Sequence, residues 1–270
     1  MPNPWTNPDL LPPDEARSLA RFIAARAEIP DQRQAYAALL ETLAPQPGER
    51  LLDMGCGAGN LARRLAEQVG ESGEVVGADI SQAMLEVARE GSALPHLRYE
   101  QTDGLALPFP AGYFDGAILA RTLMHAQHPH EILVELRRVV RPGGRLAILE
   151  ADWGTCTVDH SNRALSRRII DWRTDAIDGD NWMGRQLVGR CLEAGWEIGA
   201  VSILATIGRN ASTTHFGSLR RCADLAIQHR IITQAEYDAW VGELDERLAA
   251  GRFFATINET IVLARKPEFI

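Results

Sequence analysis

Cysteine is scarce in this chain, and each one stands alone. Cys56, Cys156, Cys191 and Cys222 form no CxxC pair, so neither a zinc site nor a disulfide framework is expected, and a reducing interior suits them. Long apolar runs are missing as well; none approaches the ~20 residues that span a bilayer. The opening stretch MPNPWTNPDLLPPDEAR has no basic n-region and no apolar h-region, so a secretory signal is not expected. Basic charge is in deficit, with 28 Lys and Arg against 36 Asp and Glu, a net charge of −8. That average field repels polyanions. The arginines that do cluster (Arg137, Arg138, Arg141 and Arg145, then Arg163, Arg167 and Arg168) sit among acids and apolar residues in predicted helices, as solvated faces do. These absences exclude membrane and nucleic-acid partners and point to a soluble, cytoplasmic protein.

What is present is an ordinary globular composition, 46% apolar over 270 residues, enough for one large α/β domain with a sizeable core. Residues 1–14, rich in Pro and Asn, read as an extended arm. Apolar spacing predicts helices over 14–27 and 32–43, the second closed by Pro45-Gln-Pro-Gly48. An alternation follows: strand 50–54, helix 60–68, strand 74–79, helix 82–89, strand 97–101, strand 116–120 and helix 129–140. A turn at 141–144 leads into strand 145–150. Strand and helix in turn, joined by glycine-rich connections, predict a parallel sheet covered on both faces. Such sheets hold ligands beyond the carboxyl ends of their strands, which here means just after Met54, Asp79, Gln101, Ala120 and Glu150. The last third reads as helices over 161–178 and 183–194, a strand over 196–207, two helices within 215–249 and a strand over 259–264. The second of those two helices opens on the capping box Thr233-x-x-Glu236. The chain divides into an N-terminal arm with helices over 1–44 and a single elaborated domain over 45–270, with a helical insertion at about 210–252.

The stretch LDMGCGAGN sits at the first strand-to-helix turn. Three glycines there suit either a tight helix–strand turn or a ligand loop. Their spacing is GxGxG, not the dinucleotide GxGxxG, and Asp53 precedes them. An acid so close would oppose a pyrophosphate and favours a cationic or amine-bearing ligand. Asp79 ends the strand EVVGAD, where a carboxylate can accept both hydroxyls of a ribose. Asp103 follows LRYEQ and can accept from the amino group of a base. Each aspartate alone also suits a helix cap, Asp79 ahead of Ser81 above all. Three acids at successive strand tips converge on one crevice.

With these residues in place, the sequence resembles the class I S-adenosylmethionine-dependent methyltransferases, in a small-molecule branch. The resemblance rests on LLDMGCGAGNLARRLA, VVGADISQAMLEVARE, TDGLALPF, YFDGAILARTLMH and LRRVVRPGGRLAILE, covering about 45–152 in the family's order, with a weaker likeness in WMGRQLVGRCLEAGWE and AAGRFFATINETIVLARKP. It implies a Rossmann-like, doubly wound seven-stranded sheet, mostly parallel with an antiparallel last strand. It also implies S-adenosylmethionine as cofactor, S-adenosylhomocysteine as product, and no metal. Asp53, Gly55, Gly57 and Gly59 would cradle the methionine part. Asp79 would hold the ribose, Ile80 and Met84 would lie against the adenine, and Thr102, Asp103 and Gly104 would meet its edge. Ala120 and Arg121 would stand near the sulfonium.

The implied reaction is methyl transfer to a small molecule, with secondary metabolism as its setting. A sulfonium methyl is already activated, so the protein must mainly align the nucleophile and exclude water. A general base is needed only for an acceptor protonated at neutral pH. His125 is a candidate base, or alternatively a capping histidine. His128 and His130 flank Pro129 at a helix start and read as caps. Asp152 is a second candidate acid–base group, or a turn cap. Trp153, Trp172 and Trp182 are candidate substrate surfaces, with plain packing as the competing reading. The N-terminal helices and the insertion are expected either as a lid or as core cover. Leu219, Leu225, Trp240 and Leu244 read as core or dimer contact, leaving monomer and homodimer both open. The alternatives are a quinone-type or macromolecular methyltransferase, a non-catalytic cofactor-binding protein, and a nicotinamide oxidoreductase. Glycine spacing and the lack of a Tyr-x-x-x-Lys motif disfavour the last.

Overall fold

The computed structural model describes residues 6–176 and 179–268. Seven strands form one sheet: β1 (Arg50–Met54), β2 (Glu74–Asp79), β3 (Leu97–Gln101), β4 (Phe114–Ala120), β5 (Val140–Val158), β6 (Glu197–Gly208) and β7 (Ala255–Arg265). Their order is β3-β2-β1-β4-β5-β7-β6. All pairs are parallel except those of β7, which runs antiparallel to both β5 and β6. This is the Rossmann-like sheet that the sequence predicts, antiparallel last strand included. Chain order reverses between β1 and β4, and the crevice at their carboxyl ends is where such sheets take ligands.

Alternating side chains feed two cores, as a strand's period of two requires. Leu51 joins Leu39, Leu43, Leu65, Ile118 and Leu149 on one face. Leu52 joins Leu119, Leu133, Leu136, Ile148, Leu187 and Val262 on the other. The first face is covered by α2 (Pro30–Leu43) and α3 (Asn60–Val69), the second by α5 (Pro129–Val139) and α7 (Met183–Glu193). Both α2 and α5 start on a proline, whose missing N–H costs nothing in the first turn. A third cluster joins α6 (Arg163–Ala176) to α8 (Thr214–Gln228) and α9 (Gln234–Ala249), burying Ile169, Leu219, Trp240 and Leu244. The apolar face of the insertion is therefore largely intramolecular core, with Leu225 half-buried. The box at Thr233 and Glu236 caps α9 with both reciprocal bonds. Asp31, in the first turn of α2, accepts from the hydroxyl and N–H of Thr214, tying the N-terminal helices to the insertion.

Three elements differ from expectation. β5 runs to Val158 because pairing with β7 resumes at Thr157↔Thr256 after an irregularity beyond Asp152. Its first residues, expected as part of α5 and a turn, already pair with β4 through Val140↔Phe114. The arm is not uniformly extended: Pro8–Leu10 form a short 3-10 turn, and α1 (Pro13–Arg26) begins one residue earlier than its periodicity predicts. The last residues of the predicted helix 161–178 lie outside the described residues.

Candidate active site

β1 delivers Asp53 into the crevice with 1% of its surface exposed. Its Oδ2 has no hydrogen-bond partner. Burial first, and the neighbouring Asp79 second, push its carboxyl up to about 8, while the Ala62 N–H in the first turn of α3 pulls the other way. A buried acid held near neutrality stabilises a cationic ligand by ionising against it.

The loop that follows explains its own glycines. Gly55, Gly57 and Gly59 all have positive φ, at 74°, 50° and 74°. A Cβ on Gly55 would stand 2.3 Å from the Thr122 side chain, and one on Gly59 2.5 Å from the Tyr99 hydroxyl. These two are required by close packing as well as by conformation. A Cβ on Gly57 would meet nothing nearer than Ile23, at 3.8 Å. Gly57 thus meets the α1 roof at ordinary van der Waals distance, without a clash. Asn60, where the glycine pattern stops, secures that roof: its Nδ2 donates to the Ala24 carbonyl at 3.2 Å and to Glu28 at 2.9 Å.

At the tip of β2, Asp79 accepts from Gly57 N–H at 2.8 Å and Ser81 N–H at 2.9 Å, and burial raises its carboxyl. It is not the helix cap. Ser81 caps α4 (Gln82–Glu90) through Met84 N–H at 3.2 Å. Asp9 from the arm completes the cap, accepting from the Ser81 hydroxyl and Gln82 N–H, each at 2.6 Å. Thr102 N–H donates to the Asp79 carbonyl at 2.9 Å, binding the third strand tip to the second. Asp103 is exposed and accepts from Leu105 N–H, and Gly104 has φ +81°, where a Cβ would strike Met54. Ile80 is half-buried beside them. Met84 is buried with Ala20, Ala58 and Val87, against α1.

After β4, Ala120 leads to Arg121, a non-glycine residue at φ +56°. Its guanidinium holds both carboxylate oxygens of Glu259, each at 2.6 Å. This pair, with side chains 12% and 4% exposed, fixes the strained turn against β7. The turn continues into Leu123–His125, whose Leu123 N–H donates to Glu150 Oε1 at 2.6 Å. Glu150 is fully buried, its Oε2 has no partner, and burial pushes its carboxyl up to about 8. His125 stands half-buried at the end of this turn. Burial first, then the cations of Arg173 and Arg26, push its imidazole down to about 4, so it is neutral at pH 7.

The remaining candidates separate. Trp153 is half-buried against two of the cores, with the Arg173 guanidinium 3.8 Å over its ring. Asp152 is clamped by Arg185 through two bonds of 2.6 and 2.8 Å. Trp182 lies under the same Arg185, 4.0 Å from its ring, and donates to Asp175. Trp172 packs into the third core, 5.3 Å from the His229 ring. Sequence reasoning missed Glu259, Arg26 and Arg173. They come from β7, α1 and α6, and no local motif marks them. Among the described residues, no His, Cys, Asp or Glu side chains gather as a metal-binding group, and no helix is long and apolar enough to cross a membrane.

Comparison with known proteins agrees with this geometry. Residues 52–148 match the family model described as a methyltransferase domain. An uncharacterized 37.1 kDa protein of transposon TN4556 from Streptomyces fradiae is 34% identical over 94% of this chain and 72% of its own. A 2-phytyl-1,4-naphtoquinone methyltransferase of Synechococcus elongatus is 42% identical over 40% of this chain, a stretch spanning only 48% of that enzyme. Among solved structures, a putative methyltransferase from Bacillus halodurans shares the fold, with a TM-score of 0.59 and 22% identity over 86% of this chain and 98% of that one. The unpartnered, buried Asp53 oxygen ahead of the glycine loop fits the ammonium-bearing tail of S-adenosylmethionine. The chain belongs to the class I S-adenosylmethionine-dependent methyltransferases.

Proposed function

We propose that this protein methylates a small molecule bound between the glycine loop and the face formed by His125 and Trp153. The observation that carries the reading is the buried Asp53 carboxyl, whose Oδ2 has no hydrogen-bond partner, just before a loop of three positive-φ glycines. That arrangement serves a cation, not a phosphate. When bound, S-adenosylmethionine supplies a methyl group on a sulfonium whose departure as a neutral thioether needs no acid.

The residues then have separate tasks. Asp53 and the loop hold the amino-acid end, Asp79 the ribose, and Thr102, Asp103 and Gly104 the edge of the base, with Ile80 beside it. Ala120 and the Arg121–Glu259 pair set the turn at the reacting end. His125 is neutral and takes a proton at a ring nitrogen from an acceptor hydroxyl. Glu150, through the N–H of Leu123, orients the turn that carries it. α1 and α2 keep water out. The net charge of −8 disfavours RNA as acceptor. A quinone-type acceptor is the second reading, favoured by the likeness to the naphthoquinone enzyme.

Titrating S-adenosylmethionine, S-adenosylhomocysteine and NAD separately into the protein tests the reading. Heat from the first two and none from NAD is expected. Binding of NAD alone would overturn it.

A further inference from the structure

The two edges of the sheet are built differently. At one, β3 is five residues long and carries Arg98 and Glu100, which pair with each other, while Arg98 also pairs with Glu74. A short, charged strand resists further pairing. At the other, β6 runs for twelve residues without a proline, and its one charged residue, Glu197, stands at its start. One irregularity interrupts its pairing, at Gly199. Beyond it, Val201, Ile203 and Ile207 are 49%, 59% and 49% exposed. A long apolar edge that neither charge nor proline breaks pairs readily with another strand.

The free hydrogen-bonding groups of β6 follow from the pairing of β7. Asn258 N–H donates to Thr155 Oγ1, and Lys266, just past the strand, exchanges backbone bonds with Gly143 and Gly144. Even-numbered residues of β7 therefore face β5, and odd-numbered ones face β6. Across from Ile261, Glu259 and Ile257 stand Ser202, Leu204 and Thr206, so these three point their backbone groups into the sheet. Val201, Ile203, Ala205 and Ile207 point theirs outward, where among the described residues no backbone group takes them up. The same four side chains share one face of the strand.

Charge selects the strand that completes this edge. Glu197 opens β6 and Arg209 follows it directly; both are exposed, and among the described residues neither forms an ion pair. An antiparallel second copy of β6, related by a two-fold axis at Ile203, lays the Glu197 end of each strand beside the Arg209 end of the other. Ile203 then lies opposite itself, and Val201 opposite Ala205, as a self-complementary two-fold interface requires. The outward N–H and C=O groups find partners, and the apolar side chains pair across the seam. We infer that this chain forms a homodimer by antiparallel pairing of β6 with β6 of a second copy, joining the two seven-stranded sheets into one. The inference stands apart from the identity of the methyl acceptor.

Sedimentation of the full chain at micromolar concentration tests the inference, with a dimer as the expected mass. Ile203→Lys sets like charges against each other at the axis and should weaken dimerisation by about 100-fold. Its affinity for S-adenosylhomocysteine should stay within about two-fold of the unmodified chain, which reads folding separately from assembly. Ile203→Cys should cross-link the two copies under mild oxidation, since hydrogen-bonded antiparallel neighbours stand about 5.5 Å apart at Cα, within disulfide reach. Ile207→Cys should not, because position 207 faces position 199 of the second copy, about 27 Å of strand from its own equivalent. Glu197→Arg should weaken the dimer by about ten-fold, and adding Arg209→Glu should restore it. A monomer at every concentration, with the edge left free or covered by another protein, overturns the inference. So does a dimer that survives both Ile203→Lys and the single Glu197→Arg change.

Discussion

The two walls of the crevice handle charge in opposite ways. On the strand-tip wall, Asp53 and Glu150 are buried acids pushed up to about 8, and Asp79 is raised as well. On the helix wall, the half-buried Arg26 and Arg173 are pulled down by desolvation, and burial with these two cations lowers His125. The strand-tip wall is expensive alone, since burying an ionised group without a partner costs several kcal/mol. The contrast implies a strand-tip wall whose cost is offset when a cation meets it.

The largest expected effect comes from the helix wall. With a hydroxyl acceptor, His125→Ala should lower kcat by about 100-fold or more, the scale of lost general-base catalysis. Affinity for S-adenosylhomocysteine should hardly move. Unchanged kcat in a folded variant would reduce His125 to a positioned side chain and break the division of labour between the walls.

Asp79→Ala strikes the other wall. Removing a carboxylate that anchors Gly57 N–H and Ser81 N–H and is proposed to hold the ribose should weaken cofactor binding by about 2 kcal/mol, roughly 30-fold. Calorimetry reads this directly. An affinity equal to that of the unmodified chain would remove Asp79 from the site.

The raised acids give the comparison a pH signature. In the ligand-free protein Asp53 and Glu150 keep their protons up to about 8, whereas in the unfolded chain they ionise in the ordinary carboxyl range. The folded state therefore binds more protons over that interval. The stability they contribute is fully present below the unfolded pKa and is lost as pH rises toward 8, where the slope ends. Asp53→Asn should remove its share, so its melting temperature falls less between pH 5 and 8. Saturating S-adenosylmethionine should flatten the same slope by favouring the ionised acids. A variant with the unmodified pH dependence would contradict the raised carboxyl.

The strand-tip wall was legible in the sequence because it is built locally. Asp53 and Asp79 stand at the ends of short buried strands, glycines mark the turn after the first, and the parallel-sheet rule gathers the tips. The helix wall was not. Arg26, Arg173 and Glu259 look like any charged residue on an amphipathic helix or strand, and only the packing of α1, α6 and β7 brings them inward. Tryptophans misled for the same reason: Trp153 packs against two of the cores, Trp172 fills a core and Trp182 lies beneath Arg185. Asp152 resembled a strand-tip ligand, but Arg185, one turn into α7, already holds it. Boundaries failed where pairing is non-local, as in the extension of β5 along β7.

The smallest expected effect concerns the arm that joins the walls. Asp9 accepts from the Ser81 hydroxyl, Gln82 N–H and Ala83 N–H, and so serves as a second cap for α4, supplied from outside the sheet. Its charge also adds to the burial that raises Asp79. Asp9→Ala should therefore do two small things at once. Loss of the cap should cost about 1 kcal/mol of stability, read as a melting temperature a few degrees lower. Loss of the nearby negative charge should let Asp79 ionise more readily, offsetting part of the damage to cofactor binding. Asp9→Asn, which removes the charge and keeps an acceptor oxygen, should retain most of the stability and bind the cofactor at least as well as Asp9→Ala. If Asp9→Ala instead loses as much affinity as Asp79→Ala, the arm belongs to the ligand wall itself, and the crevice has three charged sides rather than two.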